Sequence, residues 1–122
     1  MENRRKNMRL PINAMASIVL RDGSKSFAAY VADCSRVGIR VYCKEIITPE
    51  PVWIFIEFAD INGIERTEVL EAERIWIYHW SSMYAVGFEF TAPVNSKEHP
   101  FLFEIIGFLE KSYIDTGALE YI

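Results

Sequence analysis

Apolar and polar residues alternate along most of this chain, in short runs that end at turn-forming residues. Alternation with period two marks a pleated strand with one face buried. Ile12 to Arg21 (INAMASIVLR) is the first predicted strand. Asp22-Gly23 then predicts a tight hairpin, and Ser26 to Asp33 (SFAAYVAD) is its return. Gly38 to Cys43 (GIRVYC) places Ile39 and Val41 on one face, Arg40 and Tyr42 on the other. Thr48, Pro49 and Pro51 interrupt the pattern. Val52 to Ile61 (VWIFIEFADI) follows, apolar on both faces in its first half, and Asn62-Gly63 predicts a second hairpin. Ile64 to Trp80 is one long strand, with a bulge or bend expected near its middle. Ser81 to Met83 makes a turn, and Tyr84 to Thr91 returns.

Six strands at this spacing predict an all-β core, a six-stranded antiparallel barrel. The period then changes. Asn95 with Glu98 resembles a capping box, and Pro100 suits a first helical turn. Phe101, Ile105, Phe108 and Leu109 share one face of the predicted C-terminal helix, while Phe103, Ile106 and Tyr113 spread apolar character beyond it. One barrel covers one stripe, so the surplus predicts a further burial surface such as a second subunit. The expected organisation is a flexible basic arm over 1–11, a barrel over 12–94, and a helix with its tail over 95–122.

At 122 residues and 51% hydrophobic the chain can bury a core as one domain. No apolar run reaches the roughly 18–20 residues that span a bilayer. The charged N-terminus lacks an apolar signal segment, so a cytoplasmic location is expected and no membrane insertion. Cys34 and Cys43 are expected as buried free thiols. His79 and His99 lack ligand-like spacing to the cysteines, so no metal is expected. No nucleophile has a partnered histidine and there is no phosphate loop, so no catalytic residue is assigned and no enzyme is expected. Glu68, Glu71 and Glu73 read as a solvated strand face, Trp53 and Trp80 as packing residues.

Charge changes the picture at one end. The net charge is −4, yet residues 1–9 hold four positives and one Glu, against nine positives and sixteen negatives elsewhere. A +3 arm on a −7 body suggests a local anionic partner and conflicts with broad nucleic-acid binding. Taken alone, the arm is also readable as a solvated tail. At the junction of the second and third strands stands DCSRVG, Asp33 to Gly38. Asp33 and Ser35 are two apart and share a face, Cys34 faces the core, and Gly38 allows a sharp turn or a close approach. Arg36 is expected to face solvent. Taken alone, this segment is also readable as an ordinary turn.

Together the two features resemble the PilZ domain family, whose signature is R-x-x-x-R on an N-terminal arm followed by [D/N]-x-S-x-x-G on a β-barrel. Arg5 to Arg9 supplies the first motif and Asp33 to Gly38 the second, and Val86-Gly87 with Phe90 looks like the family's closing V-G-x-x-F. The resemblance implies a bacterial receptor for cyclic di-GMP that needs no cofactor, with roles in biofilm or motility regulation among its outputs. It implies ligand contacts from Arg5, Arg9, Asp33, Ser35 and Gly38. A guanidinium fork matches guanine O6/N7 or a phosphate, and a carboxylate accepts from guanine N1–H and N2–H. Arg4, just before the motif, implies two messengers per chain. Arg40, Arg74 and Trp76 are further candidates, Trp76 by stacking on guanine, although barrel packing is its plainer reading. The output is expected to pass to a protein partner or to a homo-oligomer formed through the helix. The alternative is a ligand-independent PilZ-like adaptor.

Overall fold

Closure follows from the number and direction of the alternating runs. In the computed structural model, which describes residues 7–116, the strands are β1 (Ala14–Leu20), β2 (Ser26–Cys34), β3 (Gly38–Cys43), β4 (Val52–Ala59), β5 (Glu65–Trp80) and β6 (Met83–Phe90). They form a closed antiparallel barrel in the order β1-β2-β3-β6-β5-β4, with β4 pairing back onto β1. Closure leaves no unpaired sheet edge. A C-terminal helix, α1 (Pro100–Thr116), follows. Ile18, Val41, Ile54, Ile56, Phe58, Val86 and Phe88 belong to the buried core, and Ile47, Leu102 and Ile106, from outside the strands, are fully buried with them. Both cysteines are buried and free. Among the described residues no helix is long and apolar enough to cross a membrane, and no cluster of His, Cys, Asp and Glu could hold a metal ion.

The two hairpins follow the predicted turn residues. Gly23 and Gly63 adopt φ values of 75° and 77°, which L-residues rarely take. In the second hairpin the buried Asp60 does the holding. Its carboxylate accepts from Arg66 Nε at 2.8 Å, Asn62 N at 2.8 Å and Ile64 N at 3.0 Å. The Arg66 bond, then the backbone donors, keep this carboxyl below the usual aspartate range.

Two bulges decide what faces outward. In β2, Val31 pairs with Val41 but Asp33 pairs with Arg40, so Ala32 is extra. In β5, Arg74 pairs with Phe88 but Trp76 pairs with Gly87, so Ile75 is extra. Paired residues share a face, and an added residue reverses the alternation beyond it. Asp33 and Trp76 are thereby turned out of the barrel, and Cys34 and Ile77 are turned toward the core.

The helix is rolled away from the predicted face. Its fully buried residues are Leu102 and Ile106, continued in part by Leu109 and Tyr113, while Phe108 is 56% exposed. The flanking aromatics are covered by cations: Arg66 lies 3.8 Å over Phe101, and Arg36 lies 4.6 Å over Phe103. Part of the surplus apolar surface is thus met inside the chain. Asn95 Oδ1 accepts from Glu98 N at 2.8 Å, but that cap serves the turn before α1. The helix itself is capped from β5, where the Glu68 carboxylate accepts from Phe101 N at 3.0 Å and Leu102 N at 2.8 Å. Glu68 is therefore a cap and not part of a solvated face, and Glu71 pairs with Arg21. Glu68→Ala should cost about 1 kcal/mol, the usual value of a lost cap, and lower the melting temperature of the free protein by a few degrees.

Candidate functional site

Leu10, between Arg9 and Pro11, places the arm. It is fully buried and forms an isolated bridge with Cys34: Leu10 N donates to Cys34 O at 2.9 Å, and Cys34 N to Leu10 O at 3.0 Å. The bridge pins the end of the arm expected over 1–11 and sets Arg9 beside Asp33, with Arg9 Nη1 3.6 Å from Asp33 Oδ1. Arg4 and Arg5 lie outside the described residues.

Asp33 is only 6% exposed although it points away from the core. Arg40, its cross-strand partner, donates through Nη2 to Asp33 Oδ2. Asp33 Oδ1 has no hydrogen-bond partner among the described residues and faces Arg9 only as an ion pair. Two guanidiniums thus share one carboxylate and leave a local surplus of positive charge. The row continues across the barrel, from Arg40 to Gly87 to Trp76. The Trp76 indole occupies the space that a side chain at Gly87 would fill. A Cβ at Gly87 would stand 2.2 Å from indole Cε2. Along β5 the aromatic surface extends to Tyr78, whose ring is centred 5.4 Å from Trp76. Trp80, read from the sequence as packing, is instead exposed and lies against Tyr42.

The rest of the DxSxxG segment also bonds and packs within its own fold. Ser35 is buried, its Oγ accepts from Val37 N at 3.2 Å, and its N donates to Gly38 O at 2.9 Å. Gly38 does not serve a positive-φ turn. An added Cβ there would stand 2.5 Å from the Phe88 carbonyl oxygen of β6, so the missing side chain lets β3 and β6 pair. Burial pushes the Cys34 thiol up to about 12, which suits a packing role. Arg36, expected in solvent, reaches α1 and pairs with Glu110. Arg74 shares the inward face of Phe88 and donates to Ile47 O at 3.0 Å, away from the outer row.

The arrangement brings together Arg9, Asp33, Arg40 and Trp76 and leaves Arg74 apart. It offers forked cations for phosphate or purine edges, one desolvated acceptor, and a ring plane for stacking. The row is an open surface. A cleft of about 440 Å³ lies elsewhere, between Trp53, Glu71, Glu98 and His99, and contains none of these residues. Sequence reasoning missed Leu10, and it noted Gly87 only within the closing V-G-x-x-F motif and not as part of the site. Leu10 carried one signal, an apolar residue isolated between the basic run and Pro11.

Comparison with known proteins bears on this site. The family described as PilZ domain matches residues 3–103. The PilZ domain with c-di-GMP of YcgR from Escherichia coli is 16% identical, with 94% of this chain and 98% of that chain covered and a TM-score of 0.64. The PilZ domain of CeSA from a cellulose synthesizing bacterium is 19% identical, with 84% and 94% covered and a TM-score of 0.52. At these identities the two structures share the fold. A search of curated proteins found no match.

Proposed function

The chain belongs to the PilZ domain family, and on that premise we propose that it is a receptor for cyclic di-GMP, a binding protein and not an enzyme. The observation that carries this reading is the outer row Asp33–Arg40–Gly87–Trp76, with Arg9 held onto Asp33 by the Leu10 bridge. The c-di-GMP in the similar YcgR domain supports it.

In the ligand-free chain Arg9 and Arg40 neutralise Asp33. A guanine of the messenger offers N1–H and N2–H to that carboxylate, and the guanidiniums turn to O6/N7 or to phosphate oxygens. The carboxylate is already desolvated, so binding exchanges its partners without burying a new charge. Arg5, four residues from Arg9, approaches from the other side, and Trp76 supplies a stacking plane. Ser35 and Gly38 hold the junction in place. Arg4 adds the charge that offsets a second messenger's phosphodiesters. The bound state presents a changed surface to a partner or a second copy, and the exposed Phe108 and Ile114 on α1 are the surface we assign to that step. The same exposed pair favours the second reading, a ligand-independent adaptor.

Calorimetric titration with cyclic di-GMP tests the receptor directly. Saturating messenger should raise the melting temperature by several degrees, since occupancy at 100 Kd contributes ~2.7 kcal/mol, and GMP should do so far less. The titration should give two messengers per chain, and Arg4→Leu should move the ratio toward one. Absence of binding heat and of any thermal shift leaves the adaptor.

A further inference from the structure

The variable part of the DxSxxG segment makes a contact outside the row proposed for the messenger. Arg36 Nη2 donates to Glu110 Oε1 at 2.7 Å and Arg36 Nε donates to Glu110 Oε2 at 3.2 Å, a two-point fork onto α1. The side chains are only 26% and 18% exposed, and the guanidinium also covers Phe103. Such a pair depends on geometry more than a surface ion pair does.

The loop that carries Arg36 has little slack. Its three residues, 35–37, join Cys34 to Gly38. Val94 N donates to Arg36 O at 2.8 Å, and Phe90 N donates to Val37 O at 2.8 Å, so the loop backbone is tied to the end of β6 and to the lead into α1. A displacement at Asp33 or Ser35 is therefore passed to Arg36 and not absorbed by free backbone. At the receiving end the helix is unevenly held. Full burial stops at Ile106; beyond it Leu109 and Tyr113 are partly buried, and Phe108 and Ile114 are exposed. Glu110 is where the loop grips this lightly packed half, the kind of segment that opens at low free-energy cost.

We infer that the Arg36–Glu110 pair couples the messenger-binding loop to the distal half of α1, so that occupancy of the Asp33 site changes how tightly residues 107–114 are held against the barrel. The inference rests on the receptor reading and adds the route by which that site addresses the helix surface.

Hydrogen exchange on the full chain, with and without saturating cyclic di-GMP, tests it alongside calorimetry. In the wild type the messenger should change exchange at 107–114 by about fivefold or more, the lower range of ordinary site-to-site coupling. Glu110→Ala keeps helix propensity at its maximum, so a loss of protection there reports the missing contact. In the ligand-free variant these amides should exchange roughly tenfold faster. Its affinity for the messenger should stay within about threefold of wild type, and the helix response should disappear. The exchanged pair Arg36→Glu with Glu110→Arg should restore part of the response. A Glu110→Ala chain whose helix answers the messenger like the wild type overturns the coupling. So does a wild type that binds with no change at 107–114. Absence of binding heat in the wild type is a different failure, that of the receptor reading, and removes the coupling with it.

Discussion

Asp33→Ala is expected to weaken cyclic di-GMP binding by roughly 10–100-fold, the equivalent of the ~1.5–3 kcal/mol carried by hydrogen bonds to a charged group. Two effects oppose each other in this variant. The guanine N1–H and N2–H lose the buried Asp33 acceptor, and donors left without a partner are costly. Against that, Arg9 and Arg40 are released from the carboxylate and draw the messenger's phosphates more strongly. Both guanidiniums are about half-exposed, so water and salt screen much of that gain, and the lost acceptor dominates. The free protein should melt within a few degrees of wild type, because both arginines can turn to solvent when their partner is removed. Asp33→Asn, which keeps the shape and one acceptor oxygen, should fall between. Calorimetry on the three chains checks the order. Wild-type affinity in Asp33→Ala would remove Asp33 from the ligand's contacts.

Gly38→Ala should act on the barrel itself. The added Cβ would approach the Phe88 carbonyl oxygen to 2.5 Å, and that atom belongs to the paired backbone of β6. No side-chain rotation relieves the clash. β3 and β6 must separate beside the buried Ile39 and Phe88. Overpacking of this kind costs ~1–3 kcal/mol, or about 4–12 °C in a domain of this size. Thermal melting of the ligand-free variant is the measurement. A variant that melts like wild type yet fails to bind would return Gly38 to the purely ligand-shaping role that its motif position suggests.

Much of the architecture was legible in the chain because it is written in local periodicity. Alternating runs placed all six strands, with GIRVYC matching β3 from Gly38 to Cys43. Asp-Gly and Asn-Gly marked turns whose glycines do take positive φ. Pro100 opens the helix as its missing amide hydrogen allows. The R-x-x-x-R and DxSxxG spacings point to the family from the sequence alone. These are properties of neighbouring residues, so a one-dimensional reading reaches them.

What the tertiary structure decided lies in partners distant along the chain. Glu68 caps a helix that begins more than thirty residues later, and Arg36 grips Glu110 on that same helix. The roll of α1 is set by which stripe those contacts and the two covering arginines leave to face the barrel, whereas the sequence pointed to the face of Phe101, Ile105, Phe108 and Leu109 with apolar character spreading beyond it. Leu10 gained its role only because Cys34 lies opposite it. Most consequential are the extra residues Ala32 and Ile75: the sequence set Cys34 toward the core and led to a bulge or bend being expected in the long strand, but it did not show which residue each strand adds to turn Asp33 and Trp76 outward. Whether a strand carries a bulge depends on the register of its neighbours, and in a closed barrel every register is constrained by the whole ring. The residue types of the site were therefore visible in the sequence, while their convergence on one outward row came from pairing across four strands.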